Sequence, residues 1–371
     1  QAVCGCKTVR LFQVQYNRAL VAVELGKIGA EAFKEELLPF SGALRKEVLC
    51  GPNFGVDTAI VDLQNGLAMA VCSDPLSLIP SLGMKASAWL SVHLPANDMA
   101  TTGYAPQYAQ FVLNLPTTLS RGDFTEYWQH IHQQCEEIGI AITGGHTGQV
   151  EGQNSTISGG GTMFLTAPKG SLLTSNNAQA GDLIVVTKSA ALSSTSILAM
   201  AFPETVKEKI GAEIQQKAAD NFWNISVLKE ALITSKTLKP NEEIHAMHDV
   251  TEGGILGAIS EMAQASGCGF TVNNNTLPIN KEVQAVADLF EIDPRFSIGA
   301  GSMIMSVKAG NEEKLISALE AENIQATVVG HFTEKETGCV LIENGTEKPF
   351  SFNGTDPYWE AFFTAFNAGW K

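Results

Sequence analysis

The chain has 371 residues, of which 44% are apolar and 17% charged, enough to bury two sizeable cores and too ordered in composition for a disordered chain. Its 24 basic and 39 acidic residues leave a formal charge of −15, which disfavours nucleic acid and anionic membrane as partners, and no apolar run is long enough to span a bilayer. Seven scattered cysteines, an odd number, argue against a disulfide framework and for a reducing, cytoplasmic setting.

Residues 1–23 read as an N-terminal extension without the apolar core of a secretory signal. A helix is expected over 27–38. Thr58–Leu63 and Leu67–Cys72 then read as a hairpin turning on Asn65-Gly66, the dipeptide a two-residue type I′ turn favours. Helix follows over 83–102, strand over 108–115, and helix from a capping box at Asp123 and Glu126 to Gly139. A short strand at 140–143 runs into Gly144-Gly145-His146-Thr147, and 156–166 is a strand broken by Gly159-Gly160-Gly161. The small, polar stretch 167–181 marks a boundary, giving domains over 24–168 and 169–345 and a tail over 346–371. In the second half strands are expected at 183–187, 244–248, 302–307 and 325–329, with helices between them. The first half is therefore α+β and the second α/β.

A two-residue turn would set Asp57 directly opposite Asp74, both at the end of an otherwise apolar face running through Ala59, Val61, Cys72, Ala70 and Ala68. Facing carboxylates destabilise a sheet unless a cation offsets them, which fits a magnesium site. A register slipped by one, or a wet hairpin end, would dissolve that pairing. Asp98 sits in similarly apolar company, between Ala96-Asn97 and Met99-Ala100. His248-Asp249-Val250-Thr251-Glu252-Gly253-Gly254 spans a strand-to-helix junction, where backbone amides and the helix dipole can hold an anion. No Walker A sequence, GxGxxG after a strand, HExxH or GxSxG occurs, and Cys4 and Cys6 lack a second pair for zinc.

Taken in order, Gly55-Val56-Asp57-Thr58-Ala59, Ser73-Asp74-Pro75, Ala96-Asn97-Asp98-Met99-Ala100-Thr101-Thr102-Gly103, Gly144-Gly145-His146-Thr147 and Asp249-Val250-Thr251-Glu252-Gly253-Gly254 resemble the successive motifs of the aminoimidazole ribonucleotide (AIR) synthase superfamily. The second half is most similar to its hydrogenase-maturation branch. The resemblance implies two PurM-like domains, a homodimer whose first domains join in a β-barrel, and an ATP- and Mg2+-dependent enzyme that phosphorylates or dehydrates a small-molecule or thiocarboxamide acceptor, with a maturation protein as a partner. It implies Asp57, Asp74 and Asp98 as metal ligands. Asp57, Asp98 and Asp249 become the catalytic acids. Asn97, Gly144, Gly145, His146, Thr147, Thr251, Gly253 and Gly254 would lie at the nucleotide. Thiamine-phosphate kinase, selenophosphate synthetase and a non-catalytic nucleotide-binding scaffold are the alternatives. The chain departs from the family in His146, where several members have an acid, and in ending Ala368-Gly369-Trp370-Lys371 without the cysteine that carries the carbamoyl group.

Overall fold

The computed structural model describes residues 28–76, 78–152 and 157–371. The N-terminal extension, with Cys4 and Cys6, lies outside the described residues. Two sheets organise the rest. The first holds β1 (Val48–Cys50), β2 (Ala59–Asp62), β3 (Leu67–Pro75), β4 (Tyr108–Pro116), β5 (Ala141–Val150) and β6 (Ser158–Pro168), in the order β1-β2-β3-β6-β4-β5. All neighbours are antiparallel except β4 and β5.

Helices Gly83–Ala100 and Arg121–Ile138 cover one face of this sheet. Ala88, Val92, Ala96 and Met99 of the first meet Ala68, Ala70 and Cys72 of β3, Phe111 and Leu113 of β4, and Tyr127 and Ile131 of the second helix in one buried cluster. The small residues of the first helix allow close approach to β3. The second helix starts at Ser120, whose Oγ accepts from the Asp123 amide at 3.0 Å, so Ser120 is the cap where Asp123 was expected. It ends at Gly139, in the left-handed region at φ 81°.

The hairpin departs from its expected register. Ile60 faces Ala70 and Asp62 faces Ala68, while the Leu63 amide donates to the Leu67 carbonyl. The loop is thus three residues, Gln64-Asn65-Gly66, because the Asp62 side chain accepts from the Gln64 amide at 2.8 Å and closes the turn one residue early. Continued outward, this register would set Asp57 beside Ser73, not Asp74, and β2 itself begins only at Ala59. The buried face consequently carries Thr58 and Ile60, with Ala68, Ala70 and Cys72, in place of Ala59 and Val61.

The second sheet holds β7 (Leu183–Thr187), β8 (Ile244–Asp249), β9 (Gly269–Asn273), β10 (Met303–Val307), β11 (Ala326–Thr333), β12 (Cys339–Glu343) and β13 (Thr346–Pro349), in the order β13-β12-β9-β11-β7-β10-β8. Helix and strand alternate as expected, yet only β9 and β12 run parallel. Every residue of β8 is buried, including His245 and His248. Beyond the last strand, helix Tyr358–Asn367 packs on the second half. Trp370 closes against Phe202 and Phe290, and the Lys371 carbonyl accepts from the Thr205 amide at 2.7 Å.

Candidate active site

The acids gather at the seam between the two sheets. Gly55 makes this possible. Its φ is +76°, and a Cβ there would stand 2.8 Å from the Glu261 carbonyl, so only glycine lets the loop before β2 lie against helix Gly254–Ser266. Asp57 is thereby brought to the end of β8. Its Oδ2 accepts from Ser175 Oγ at 2.7 Å and lies 2.8 Å from His248 Nδ1. The other imidazole nitrogen faces Glu261 Oε2 at 3.4 Å. Burial alone would lower the His248 pKa; the Asp57 and Glu261 carboxylates on its two sides outweigh that and raise it to about 10. His248 is thus clamped between two acids that both favour its charged form. Ligand atoms of Asp57, His248 and Asp249 all lie within 4.8 Å of one another.

Cys72 locates the remaining acids. Its thiol is pushed far up by burial, and then by the charges of Asp98, Asp74 and Asp249. These three carboxylates all lie near enough to act on one buried sulfur atom. Asp249 belongs to both groupings, so Asp57, Asp74, Asp98 and Asp249 occupy one region although they come from a loop, a strand, a helix and a strand end. Asp57 and Asp74 meet there without being cross-strand partners: Asp74 pairs with Gly161 of β6.

Other expected residues lie elsewhere. Asn97 is wholly buried, and its amide is spent on the second domain, donating to the Ile225 carbonyl at 3.0 Å and accepting from the Val227 amide at 2.9 Å. It joins the domains, with both the nitrogen and the oxygen of its amide bonded to the second domain. Gly144, Gly145, His146 and Thr147 are not in a loop, because β5 continues to Val150, and all four are exposed on this edge strand. Asp74, Gly161, Phe111 and Gly145 form one row across the sheet. Three strand spacings, about 14 Å, thus separate Gly145 from Asp74, too far for His146 to share an ion with that acid within one chain. Gly145 is required for a different reason: at φ +140°, a Cβ would collide with the Phe111 carbonyl.

Gly253 and Gly254 do open a helix, but they approach the protein's own chain. A Cβ on Gly254 would stand 2.6 Å from the Arg295 carbonyl, and one on Gly253 would stand 2.5 Å from the Phe352 ring. The Gly253 amide donates to Asp356 Oδ2 at 2.8 Å. An internal carboxylate thus takes the anion position expected for a phosphate. Burial first, and then the charge of Glu252, pushes the Asp356 carboxyl up to about 6 despite the amides that bond it. The Thr251 carbonyl holds the turn, accepting from the Gly254 and Gly299 amides. Sequence reasoning gave no role to Ser175, His248, Glu261 or Asp356. Only His248 left a signal there, as a titratable residue in a strand that reads as buried.

Comparison with known proteins accords with this construction. Residues 55–164 match the N-terminal domain of AIR synthase related proteins and residues 179–342 match their C-terminal domain. The chain belongs to the AIR synthase-related family and consists of two PurM-like domains. Within that family it is similar to hydrogenase-maturation proteins. It is 25% identical over 254 residues to a putative hydrogenase expression/formation protein of Methanocaldococcus jannaschii, covering 68% of this chain and 72% of that one. It is 26% identical over 319 residues to carbamoyl dehydratase HypE of Azotobacter vinelandii, covering 83% and 86%. A structure of HypE in complex with ATP superposes with a TM-score of 0.64 at 18% identity, over 89% of this chain and 93% of that one. AaThiL complexed with AMPPCP and TMP gives 0.63 at 17% identity, over 80% and 89%. At such identities the structures establish the fold. No helix among the described residues is long and apolar enough to cross a membrane.

Proposed function

We propose that this protein is a HypE-like enzyme that uses ATP to activate a thiocarboxamide-type or other small acceptor by phosphoryl transfer, at the seam where Asp57, Asp74, Asp98 and Asp249 converge. The observation that carries the reading is the clustering of Asp57, His248 and Asp249 within 4.8 Å, drawn from both domains. An ATP-driven enzyme accords with the relatives, a carbamoyl dehydratase and a thiamine-monophosphate kinase among them. The four carboxylates offer hard oxygen donors of the kind magnesium takes, and two or more of them would hold it against the nucleotide phosphates. When bound, the ion supplies charge neutralisation at the transferring phosphoryl group. His248 and Ser175 fix one oxygen of Asp57, Oδ2. Asp249, at the end of β8, adds the second domain's carboxylate.

Cys339, the last cysteine, lies inside β12 paired with Phe270, and burial pushes its thiol up. Neither position nor reactivity suits it to carry a carbamoyl group into the seam. This observation also favours the kinase-like variant of the reading. The open face of the first sheet, where Tyr108 and Val112 stand exposed on β4, supports pairing with a second copy.

Thermal unfolding with ATP and magnesium, together and singly, tests the reading. At about a hundred times its dissociation constant a ligand adds about 2.7 kcal/mol, a shift of several degrees. The expected shift needs both ligands and is lost in Asp57→Asn and Asp249→Asn. A shift that both variants retain would put the phosphate site elsewhere.

A further inference from the structure

A cavity of about 380 Å3 adjoins the acid cluster, sharing Glu261 with it. Three aromatic rings line it: Phe54, from the loop that delivers Asp57, and Phe352 and Trp359, from the C-terminal segment. Four carboxylates line it as well, those of Glu31, Glu252, Asp356 and the His248-paired Glu261, and no lysine or arginine does so among the described residues. The buried indole Nε1 of Trp359 has no hydrogen-bond partner among the described residues. A donor left in that state costs free energy until something accepts from it.

This combination is selective. Carboxylates without a basic partner repel phosphate and carboxylate ligands. Aromatic faces carry negative electrostatic potential and attract a cation, most strongly when it is screened from water. A neutral apolar ligand would gain from the rings but nothing from the acids. A cation satisfies rings and carboxylates together. Asp356 fits the same picture: with burial and Glu252 holding its carboxyl up at about 6, a positive charge nearby would relieve the repulsion.

We propose that this cavity binds an organic cation, an ammonium or amidinium that also bears a hydroxyl, and that this hydroxyl is the acceptor: its oxygen bonds the γ-phosphorus with loss of its proton as the β–γ bridging oxygen leaves with ADP, a step that rests on the ATP-dependent reading above. The cavity's common border with the cluster, through Glu261, puts a bound molecule next to the phosphoryl-transfer region.

The test uses cation and neutral isostere pairs on the full chain: choline against 3,3-dimethylbutan-1-ol, and benzamidine against benzamide. Binding is followed by calorimetry and by indole fluorescence. At least one cation should bind tenfold or more tightly than its isostere. Trp359→Leu and Glu252→Gln should each weaken that cation by about 5- to 30-fold, the range a desolvated cation–π or charge contact spans. If neither cation outcompetes its isostere on the wild-type chain, the assignment is overturned, however the variants fold. A preference untouched in both variants, each checked for folding by circular dichroism, would move the site elsewhere and overturns it too. Magnesium and ATP are titrated in parallel. Nucleotide binding without cation preference sinks the cavity assignment alone, and cation preference without nucleotide binding sinks the phosphoryl-transfer reading alone. A preferred hydroxyl-bearing cation that leaves ATP turnover unchanged keeps the site and removes its role as acceptor.

Discussion

The two halves of the seam were built from different kinds of signal. On the first-domain side, Asp57, Asp74 and Asp98 are charges in apolar sequence, and they converge around the end of β8 and Cys72. On the second-domain side, Gly253 and Gly254 are conformational signals, and they turn toward Arg295, Phe352 and Asp356. A carboxylate among apolar residues announces that something must compensate it. A glycine announces only that something comes close, and the approaching group here is the protein itself.

The contrast is sharpest at His248, the one cationic group among these acids. Replacing it by leucine leaves Asp57 and Glu261 buried without their shared imidazolium, and the chain should lose about 3–5 kcal/mol in urea unfolding at pH 7. Because its folded pKa is raised, His248's contribution is complete below about pH 6.5 and fades as pH rises through about 10, so wild type and variant should converge in alkali. An unchanged stability at pH 7 would mean that the clamp is not formed.

On the glycine side, Gly254→Ala combines a left-handed backbone with a backbone contact at 2.6 Å, and should cost about 3 kcal/mol in the same assay. If the variant is as stable as wild type but binds nucleotide poorly, the glycine serves a ligand after all. Asp356 gives a pH-resolved version of the comparison. Its folded pKa lies above the ordinary carboxylate value, so stability is lost as pH rises from about 4 to about 6 and is level beyond. Asp356→Asn should remove that slope, a difference of up to about 3 kcal/mol between the ends of the window. A parallel profile for the two chains would contradict the burial of this carboxyl beside Glu252. Asn97→Ala should cost about 2 kcal/mol by leaving the Ile225 carbonyl and Val227 amide unsatisfied, with little direct effect on nucleotide affinity. A variant of native stability that binds nucleotide poorly would return Asn97 to the nucleotide.

Much of the scaffold could be read from periodicity and punctuation. The helices ending near Ala100 and Gly139 and the strands at Tyr108 and Leu183 follow local rules. The hairpin register did not, because the Asp62 side chain competes with the Asn-Gly turn, and one residue of difference moves every partner. The short strand at Thr346–Pro349 carries a weak pattern, whereas the helix at Lys281–Leu289, with Val283, Val286 and Ala287 buried on one face, and the helix at Tyr358–Asn367 follow a helical period that was legible and went unread. At the site, the acids were visible because burial makes a charge conspicuous. Ser175, Glu261 and Asp356 were not, since nothing in their neighbours distinguishes a side chain reaching across the fold from one reaching into water.

Asn97 and Asp98 are adjacent on one helix. The first grips the 225–227 segment of the second domain, and the second stands in the acid cluster. Prying the domains apart about a hinge would therefore break two buried hydrogen bonds beside the very carboxylate that opening was meant to uncover. Traffic into and out of this enzyme is better carried by the loops around the seam, leaving the two halves to move as one body through the reaction cycle.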